Sequence, residues 1–275
     1  MSAINFSQQR KPSKQALVCK LLVNNNISGE IYRLDFAWPG PAPRAGQFFM
    51  IMPERTSVFL GRPISVAAYN QKAKTVKFLI AIIGKGTVCI TDMRPGEYAQ
   101  LSGPLGNAWA DFIKPADADK PIALVGGSLG VAPLQGLYEE FPARKFDFYA
   151  GFKNGFSNDK EKLAILGPAA ESYPASARGK TVIATEDGSD GEKGLITDFL
   201  DTKKYSGVCA CGPQSMLQVI AEKCRSAGTP CYLSLERSMA CGVGACLGCT
   251  VKTAQGNRRC CADGPVFKAE DVVDE

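Results

Sequence analysis

A group of cysteines near the end of the sequence has the spacing of a metal-cluster site. Cys241, Cys246 and Cys249 follow the pattern C-x4-C-x2-C, and the doublet Cys260-Cys261 supplies a fourth thiol after a short loop. Plant-type [2Fe–2S] ferredoxins use this spacing, and the glycines between the cysteines allow tight turns with N–H groups aimed at sulfur. Structural zinc sites usually combine two C-x2–4-C pairs. The spacing favours an iron–sulfur cluster over the alternatives, which are zinc and disulfides.

The composition excludes several other chemistries. The 275-residue chain is 45% hydrophobic and 21% charged, as expected of a globular protein, and it contains no histidine. Hydrolases that use Ser-His-Asp or Cys-His are therefore excluded, whereas hydride and electron transfer by bound cofactors is not. The net charge of +5 comes from dispersed basic residues, so no nucleic-acid-binding patch is predicted.

The sequence shows no targeting or membrane segment. No apolar run reaches 18 residues, and the polar N-terminus lacks a signal-peptide core. We therefore expect a cytoplasmic protein, in which the abundance of cysteine (eleven residues) reflects metal binding rather than disulfides. Five cysteines lie in apolar stretches and are expected in the core: Cys19, Cys89, Cys209, Cys224 and Cys231. Cys211 differs from them because it adjoins a glycine turn.

The first hundred residues are expected to form a small antiparallel β-barrel. Short apolar strands bounded by Gly, Pro or Asn are predicted at residues 16–23, 29–36, 47–52, 64–68 and 75–83. Residues 102–107 are predicted as a turn that closes the barrel, and residues 113–120 as a linker. Within this region, an R-P-I-S segment at residues 62–65 offers an arginine that could grip a pyrophosphate. A G-K-G-T turn at residues 84–87, leading into a predicted helix at 88–93, offers backbone N–H groups to an anion.

Strands and helices alternate from residue 121 onward. Strands are predicted at 121–125, 145–152, 181–185, 207–211 and 231–235, with a helix ending at 141 and others at 161–166, 195–201 and 214–226. This order indicates a parallel sheet covered by helices on both faces. Glycine turns follow two of its strands, at residues 126–130 and 211–213, where nucleotides bind in such sheets. The G-x-G-x-x-G fingerprint is absent, and an ordinary tight strand–helix turn is the alternative interpretation.

The complete order of motifs resembles the ferredoxin–NAD(P) reductase superfamily and, within it, the electron-transfer subunits of type B dihydroorotate dehydrogenase. The most specific segments are E-R-S-M-A-C-G-V-G-A-C-L-G-C at residues 236–249 and C-A-D-G-P-V-F at residues 261–267. The resemblance covers about residues 15–270. It implies an α+β multidomain protein with an FAD-binding antiparallel β-barrel (residues 1–113), an NAD-binding doubly wound α/β domain (118–229) and a small [2Fe–2S] module (230–275).

The resemblance also assigns site residues. In the family, the last cluster ligand precedes x-D-G-P-V-F, which selects Cys261 over Cys260, so the implied ligands are Cys241, Cys246, Cys249 and Cys261. The implied cofactor contacts are Arg62, Pro63, Ile64, Ser65, Leu79, Ile80, Ala81, Gly86 and Thr87 for FAD, and Gly126, Gly127, Gly130, Cys211 and Gly212 for NAD. The sequence departs from the family at Ser128, where glycine is common, at Ala81, where a polar residue is common, and in a shortened loop between the last two ligands.

The implied activity is electron transfer in pyrimidine (UMP) biosynthesis. The resemblance implies an oxidoreductase subunit that relays electrons between the FMN of a catalytic dihydroorotate dehydrogenase subunit and NAD, through the [2Fe–2S] cluster and FAD. The expected assembly is a heterotetramer of two such chains and two catalytic subunits. One alternative is a related flavin/iron–sulfur subunit for a hydrogenase, a sulfide reductase or a ferredoxin:NADP oxidoreductase. Another is a zinc-stabilised binding module without a redox role.

Overall fold

The structure is a computed structural model that describes residues 15–54, 57–113, 120–172, 175–176 and 179–273. Most of the predicted linker at 113–120 and the polar start of the chain lie outside the described residues. Within the described residues no helix combines the length and apolar character needed to cross a bilayer. The longest helix has 14 residues.

The N-terminal part is a closed six-stranded antiparallel barrel, as the apolar strand pattern predicts. Its strands are β1 (Gln15–Ser28), β2 (Ile31–Ala37), β3 (Phe48–Pro53), β4 (Arg62–Asn70), β5 (Thr75–Ala81) and β6 (Tyr98–Leu105). They pair in the order β1-β2-β5-β4-β3-β6, and β6 closes onto β1. The inward side chains form an aromatic core in which the Trp38 and Phe78 rings meet the Phe49 ring edge-on. Helix α1 (Lys85–Thr91) follows β5.

Strand β6 corrects one prediction. Residues 102–107 were expected to form a turn, but Ser102 to Leu105 continue the strand. The strand alternates buried and accessible residues, with Ala99, Leu101 and Leu105 directed inward. Gly103 belongs to this inward set because the Phe49 ring occupies the space of its missing side chain. Glycine and proline usually mark a turn, but here they lie inside a strand, where Gly103 leaves room for the Phe49 ring. Local composition cannot reveal this contact.

The second part is the expected doubly wound sheet. Its strands are β7 (Ile122–Gly127), β8 (Phe146–Phe152), β9 (Ala175–Ser176), β10 (Gly179–Thr185), β11 (Glu192–Lys193), β12 (Gly207–Cys211) and β13 (Cys231–Ser234). The order β11-β10-β8-β7-β12-β13 is parallel throughout, and β9 pairs antiparallel with β10. Because order reverses at β7, the carboxyl ends of β7 and β12 flank a crevice.

The helices of this part are α2 (Ala132–Gln135), α3 (Leu137–Glu140), α4 (Asp159–Leu166) and α5 (Gln214–Ala227). The predicted helix ending at 141 is therefore divided, with a 3₁₀ turn at Ser128–Val131 and a break at Gly136, which packs closely against Ala45 of the barrel. The predicted helix at 195–201 is wrong. That segment forms a 3₁₀ turn at Ile196–Phe199, and another follows at Thr202–Lys204. Its apolar residues have the spacing of a helical face, but the chain is extended at Leu200, with φ −90° and ψ 111°, and Ile196 and Leu200 are both buried in the core.

The C-terminal part contains a hairpin of β14 (Thr250–Thr253) and β15 (Gly256–Arg259), helix α6 (Cys260–Asp263) and strand β16 (Val266–Lys268). Strand β16 pairs antiparallel with β13, so it adds an edge strand to the large sheet. The cysteine loop at residues 241–249 is thereby fixed at both ends, by β13 before it and by β14 after it.

Candidate functional site

A large cavity lies between the barrel and the large sheet. It has a volume of about 860 Å³, which is within the range of pockets that hold a cofactor-sized ligand. The barrel contributes the R-P-I-S and G-K-G-T segments, and the sheet contributes both glycine turns. The predicted cofactor contacts line this cavity except Gly126 and Cys211, which lie behind its wall.

Arg62 and the G-K-G-T turn form one corner of the cavity. The Arg62 guanidinium occupies the space of the missing side chain of Gly86, so any larger residue at position 86 would displace it. Its Nη1 donates to the backbone oxygen of Leu60 at 2.8 Å, which fixes the guanidinium in place. The arrangement presents a positive charge to the cavity, as binding of a phosphate requires.

Thr87 has a local structural role in that corner. Its hydroxyl oxygen accepts hydrogen bonds from the backbone N–H groups of Ile83 and Gly84, and the hydroxyl donates to the Gly84 oxygen at 3.0 Å. These bonds close the turn that leads into α1. The side chain therefore shapes the wall that the sequence assigns to a cofactor, and its hydroxyl is already engaged.

The glycine turn after β7 forms the opposite wall. Gly130 packs against the backbone of Cys211 and Gly212 so closely that a side chain would collide with the Cys211 oxygen. Ser128, where the family commonly has glycine, adopts φ +51°, a left-handed conformation that glycine adopts without penalty. Cys211 is buried, and burial raises the pKa of its thiol to about 12. Its side chain packs behind the wall and has no reactive role.

A segment without any predicted role forms the floor of the cavity. Residues 233–239 line it continuously, and Glu236 presents its side chain among them. Burial by the surrounding walls raises the pKa of the Glu236 carboxyl, although part of the side chain is accessible from the open cavity. Sequence reasoning missed this residue, although it begins the most specific segment of the resemblance.

The cysteine loop directs backbone N–H groups at sulfur. The N–H groups of Val243 and Cys246 donate to the Sγ atom of Cys241 at 3.4 and 3.5 Å. These bonds lower the pKa of the Cys241 thiol to about 6, which favours the thiolate needed for a metal ligand. The turns require positive φ at Gly242 and Gly244, with values of +66° and +84°. The glycines therefore have the role expected from the sequence.

The two members of the cysteine doublet have different surroundings. The Cys261 thiol hydrogen-bonds with the Cys249 thiol, and the Cys261 N–H donates to the Cys249 Sγ at 3.4 Å. The Cys260 thiol instead points into the core and donates to the backbone oxygen of Leu235 at 3.0 Å. Burial raises the pKa of both thiols to about 12, so only their hydrogen-bond partners distinguish them. The geometry supports Cys261 as the fourth ligand.

The four thiols form two adjacent pairs, Cys241 with Cys246 and Cys249 with Cys261. As the described side chains stand, no group of three or more Cys, Asp or Glu residues surrounds a single ion. A [2Fe–2S] cluster has two irons, each taking two of the four thiolates. The paired arrangement therefore fits a two-iron cluster better than one tetrahedral zinc.

The cluster loop is attached to the barrel. An added side chain at Gly242 would lie 2.6 Å from the Met50 side chain of β3, so the loop contacts the barrel directly. Asn107, which follows β6, donates from Nδ2 to the backbone oxygens of Asp263 and Val266 at 3.1 and 2.8 Å and accepts from the Val266 N–H at 2.9 Å. Sequence reasoning had placed Asn107 in a simple turn, since contacts across more than 150 residues leave no local signal.

Comparison with known proteins agrees with this geometry. Residues 236–273 match the family model of the iron–sulfur cluster binding domain of dihydroorotate dehydrogenase B. A solved structure of the NADH-dependent reduced ferredoxin–NADP oxidoreductase superposes with a TM-score of 0.76 at 22% identity, covering 93% of this chain and 89% of that one. A ferredoxin NADP⁺ reductase from Neisseria gonorrhoeae gives a TM-score of 0.61 at 17% identity, covering 83% and 96%. These structures show a shared reductase fold.

Curated relatives are more similar in sequence. The dihydroorotate dehydrogenase B (NAD(+)) electron transfer subunit of Clostridium acetobutylicum is 34% identical over 92% of this chain and 96% of its own length. The subunit of the same name from Clostridium perfringens is 40% identical over 83% of this chain and 86% of its own length. The resemblance inferred from the motifs is confirmed: the chain belongs to the family of electron transfer subunits of dihydroorotate dehydrogenase B.

Proposed function

We propose that this chain carries electrons between NAD and the FMN of a catalytic dihydroorotate dehydrogenase subunit, in pyrimidine biosynthesis. Its FAD and NAD bind in the large cavity, and its [2Fe–2S] cluster binds in the cysteine loop. The proposal rests mainly on one continuous segment of the chain, which lines the cavity and leads directly to the first cluster ligand. Residues 233–239 line the cavity, and the chain reaches the first cluster ligand, Cys241, two residues later. One short piece of backbone thus joins the two cofactor sites.

The two walls of the cavity contact different cofactors. Arg62 neutralises the FAD pyrophosphate, and Ser65, on the cavity wall, hydrogen-bonds the flavin ring. On the sheet side, Gly127, Gly130 and Gly212 allow the NAD phosphates to approach the backbone. Cys241, Cys246, Cys249 and Cys261 bind the irons. When bound, the flavin exchanges two electrons with NAD and the cluster carries electrons singly, while the protein positions the cofactors and excludes water.

The exposed apolar residues of the cysteine loop form the docking site for the catalytic subunit. Val243 and Leu247 are 47% and 61% exposed, although both are large and apolar. Leu247 also has a φ of +60°, which is an unfavourable conformation for leucine. Apolar residues beside a one-electron centre suit a contact across which electrons pass. The proposed assembly contains two copies of each subunit.

The cluster assignment is tested by comparing two neighbouring cysteines. Iron, acid-labile sulfide and flavin are measured per chain in anaerobically purified protein. Cys246→Ala should lose the cluster and keep FAD, whereas Cys260→Ala should keep both. Full iron and sulfide in Cys246→Ala would refute the ligand set, and loss of the cluster in Cys260→Ala without unfolding would show that the wrong member of the doublet was chosen. A colourless protein containing stoichiometric zinc would instead support the zinc-stabilised module.

The partner assignment is tested by co-expression with a catalytic dihydroorotate dehydrogenase subunit from a related bacterium. Leu247→Asp should prevent co-purification and dihydroorotate-dependent reduction of NAD, while leaving cluster and flavin content unchanged. Val18→Asp is the matched control, because Val18 is 60% exposed on the barrel strand β1, outside the cysteine loop. Equal recovery of the partner with both variants would refute the docking surface. A measured mass that corresponds to one chain and one catalytic subunit would refute the assembly of two copies of each subunit.

A further inference from the structure

Strand β3 has two buried faces. Phe49 and Ile51 belong to the core of the barrel, whereas Phe48 and Met50 belong to a second core, which also contains Cys249 of the cluster module. The alternation follows from the pleat of a strand, in which successive side chains point to opposite sides. The strand therefore packs on the barrel core with one face and toward the cluster module with the other.

Met50 is the residue of this strand that meets the cysteine loop. A Cβ added at Gly242 would lie 2.6 Å from Met50 Cγ, 3.2 Å from Met50 Sδ and 3.1 Å from Leu105 Cδ1. Gly242 directly follows Cys241, the first ligand of the proposed cluster. The loop therefore rests on the Met50 side chain at the position next to a ligand.

The same strand also borders the cofactor cavity. Phe48 lines the cavity. In the ladder between β3 and β4, Phe48 stands opposite Ser65 and Met50 stands opposite Pro63. Ser65 and Pro63 belong to the R-P-I-S segment, which is the proposed flavin site. One pair of hydrogen-bonded strands thus reaches from the flavin site to the loop that holds the cluster.

The separation of the two cofactors depends on the contact between loop and barrel. The cysteine loop follows β13 of the large sheet, whereas the R-P-I-S segment belongs to the barrel. The Asn107 bonds act on Asp263 and Val266, outside the loop, whereas Met50 acts on the loop itself. Electrons tunnel between bound cofactors, and the rate of tunnelling falls steeply as the distance grows. A small movement of the loop away from β3 would therefore slow the transfer.

We propose that Met50 is a positioning residue for electron transfer, because its side chain holds the cysteine loop close to the flavin through the contact with Gly242. This role rests on the proposed function, in which FAD and the cluster are both bound. One electron at a time leaves the flavin that NADH has reduced and enters the cluster, and no bond is made or broken in that step. Glycine is needed at position 242 because a side chain there would push the loop away from the strand.

The test is flash photolysis of the anaerobic chain loaded with FAD and cluster, with a deazaflavin and an amine donor as the external photoreductant. Electron transfer within the chain appears as bleaching of the cluster at a rate that does not depend on protein concentration. Met50→Ala should slow this phase severalfold and leave the reduction of flavin by NADH unchanged. Met50→Leu conserves volume and should retain the wild-type rate. Iron, sulfide, flavin and the reduction potential of the cluster are measured in every variant.

A pair of combined variants tests the contact without electron transfer. Amide hydrogen exchange of residues 241–249 reports opening of the loop. Gly242→Ala should speed this exchange about tenfold or more, because alanine is strained at φ +66° and its methyl group would collide with Met50. Adding Met50→Ala should restore part of the protection, since the collision is relieved. Gly244→Ala is the matched control: its φ is +84°, but its Cβ would meet Ala262 instead. Met50→Ala should restore nothing there.

Four results would overturn the proposal. They are a wild-type rate in fully loaded Met50→Ala, a slow phase in Met50→Leu equal to that in Met50→Ala, a slower rate that a shifted cluster potential explains, and equal rescue of Gly242→Ala and Gly244→Ala. If Met50→Ala loses its cluster, Met50→Val takes its place, because it removes less volume. Absence of flavin, iron and sulfide from the wild-type chain would refute the proposed function itself, which is a different outcome.

Discussion

Replacement of Asn107 tests how much one side chain contributes to holding the cluster module against the barrel. Asn107→Ala removes three hydrogen bonds, two donated to the Asp263 and Val266 oxygens and one accepted from the Val266 N–H. At a net contribution of about 0.5–1.5 kcal/mol each, their loss should destabilise the attachment by about 2–4 kcal/mol. Asn107→Asp should cost at least as much, because a carboxylate cannot donate to the two carbonyl oxygens.

The measurement is amide hydrogen exchange of peptides covering residues 263–268, which reports local opening. At about 1.4 kcal/mol per tenfold, exchange should become roughly 30-fold faster or more. The control is Asn70→Ala, which removes two bonds of a surface turn, from the N–H groups of Lys72 and Ala73, and should leave these peptides unchanged. Exchange within twofold of wild type in Asn107→Ala would refute the attachment. Less damage from Asn107→Asp than from Asn107→Ala would refute the donor assignment.

Three other predictions concern stability. Ser128→Gly should raise the free energy of unfolding by about 0.5–1 kcal/mol, because φ is +51° there; a lower thermal midpoint would contradict this. Tyr205→Phe should cost about 2–4 kcal/mol in denaturant unfolding, since it removes two hydrogen bonds, the buried 2.6 Å bond with the Tyr149 hydroxyl and the 3.0 Å bond donated to the Asp147 carboxylate, and an unchanged midpoint would exclude that contribution. Burial raises the pKa of the Glu140 carboxyl above its ordinary 4.5 despite a bond from the Ala45 N–H. The folded state therefore favours the protonated carboxyl, and the free energy of unfolding should fall as pH rises from 4.5 through the raised pKa. Glu140→Gln should remove this pH dependence. An identical pH profile of stability in the variant and the wild type would contradict the assignment.

Much of the fold could be predicted because its signals are local. The parallel sheet follows from apolar strands alternating with helices, and the barrel from short strands with turn residues between them. The errors occurred where tertiary packing outweighs composition. Ser102 to Leu105 read as a turn, yet Gly103 lies under the Phe49 ring inside a strand. Residues 195–201 have a helical spacing of apolar residues, but the chain forms only a 3₁₀ turn at Ile196–Phe199 and is extended at Leu200.

The candidate site was predictable where chemistry fixes the spacing along the chain. The cysteine spacing, the arginine of R-P-I-S and the two glycine turns are signals of this kind, and the arginine and both glycine turns lie at one cavity. The choice between Cys260 and Cys261 came from resemblance, and the structure supports it with the Cys260 bond to the Leu235 oxygen. Asn107 could not be found, because its role depends on contacts between segments far apart in sequence. A short motif contains no information about such partners.

The central claim is that the large cavity and the cysteine loop serve one electron relay. The most direct measurement is the visible absorption spectrum of the anaerobically purified chain, recorded before and after addition of NADH. Flavin and iron–sulfur bands are expected in the first spectrum, and both should bleach in the second. Flavin that bleaches beside an iron–sulfur band that does not would contradict the relay, and a colourless protein would contradict both cofactor sites.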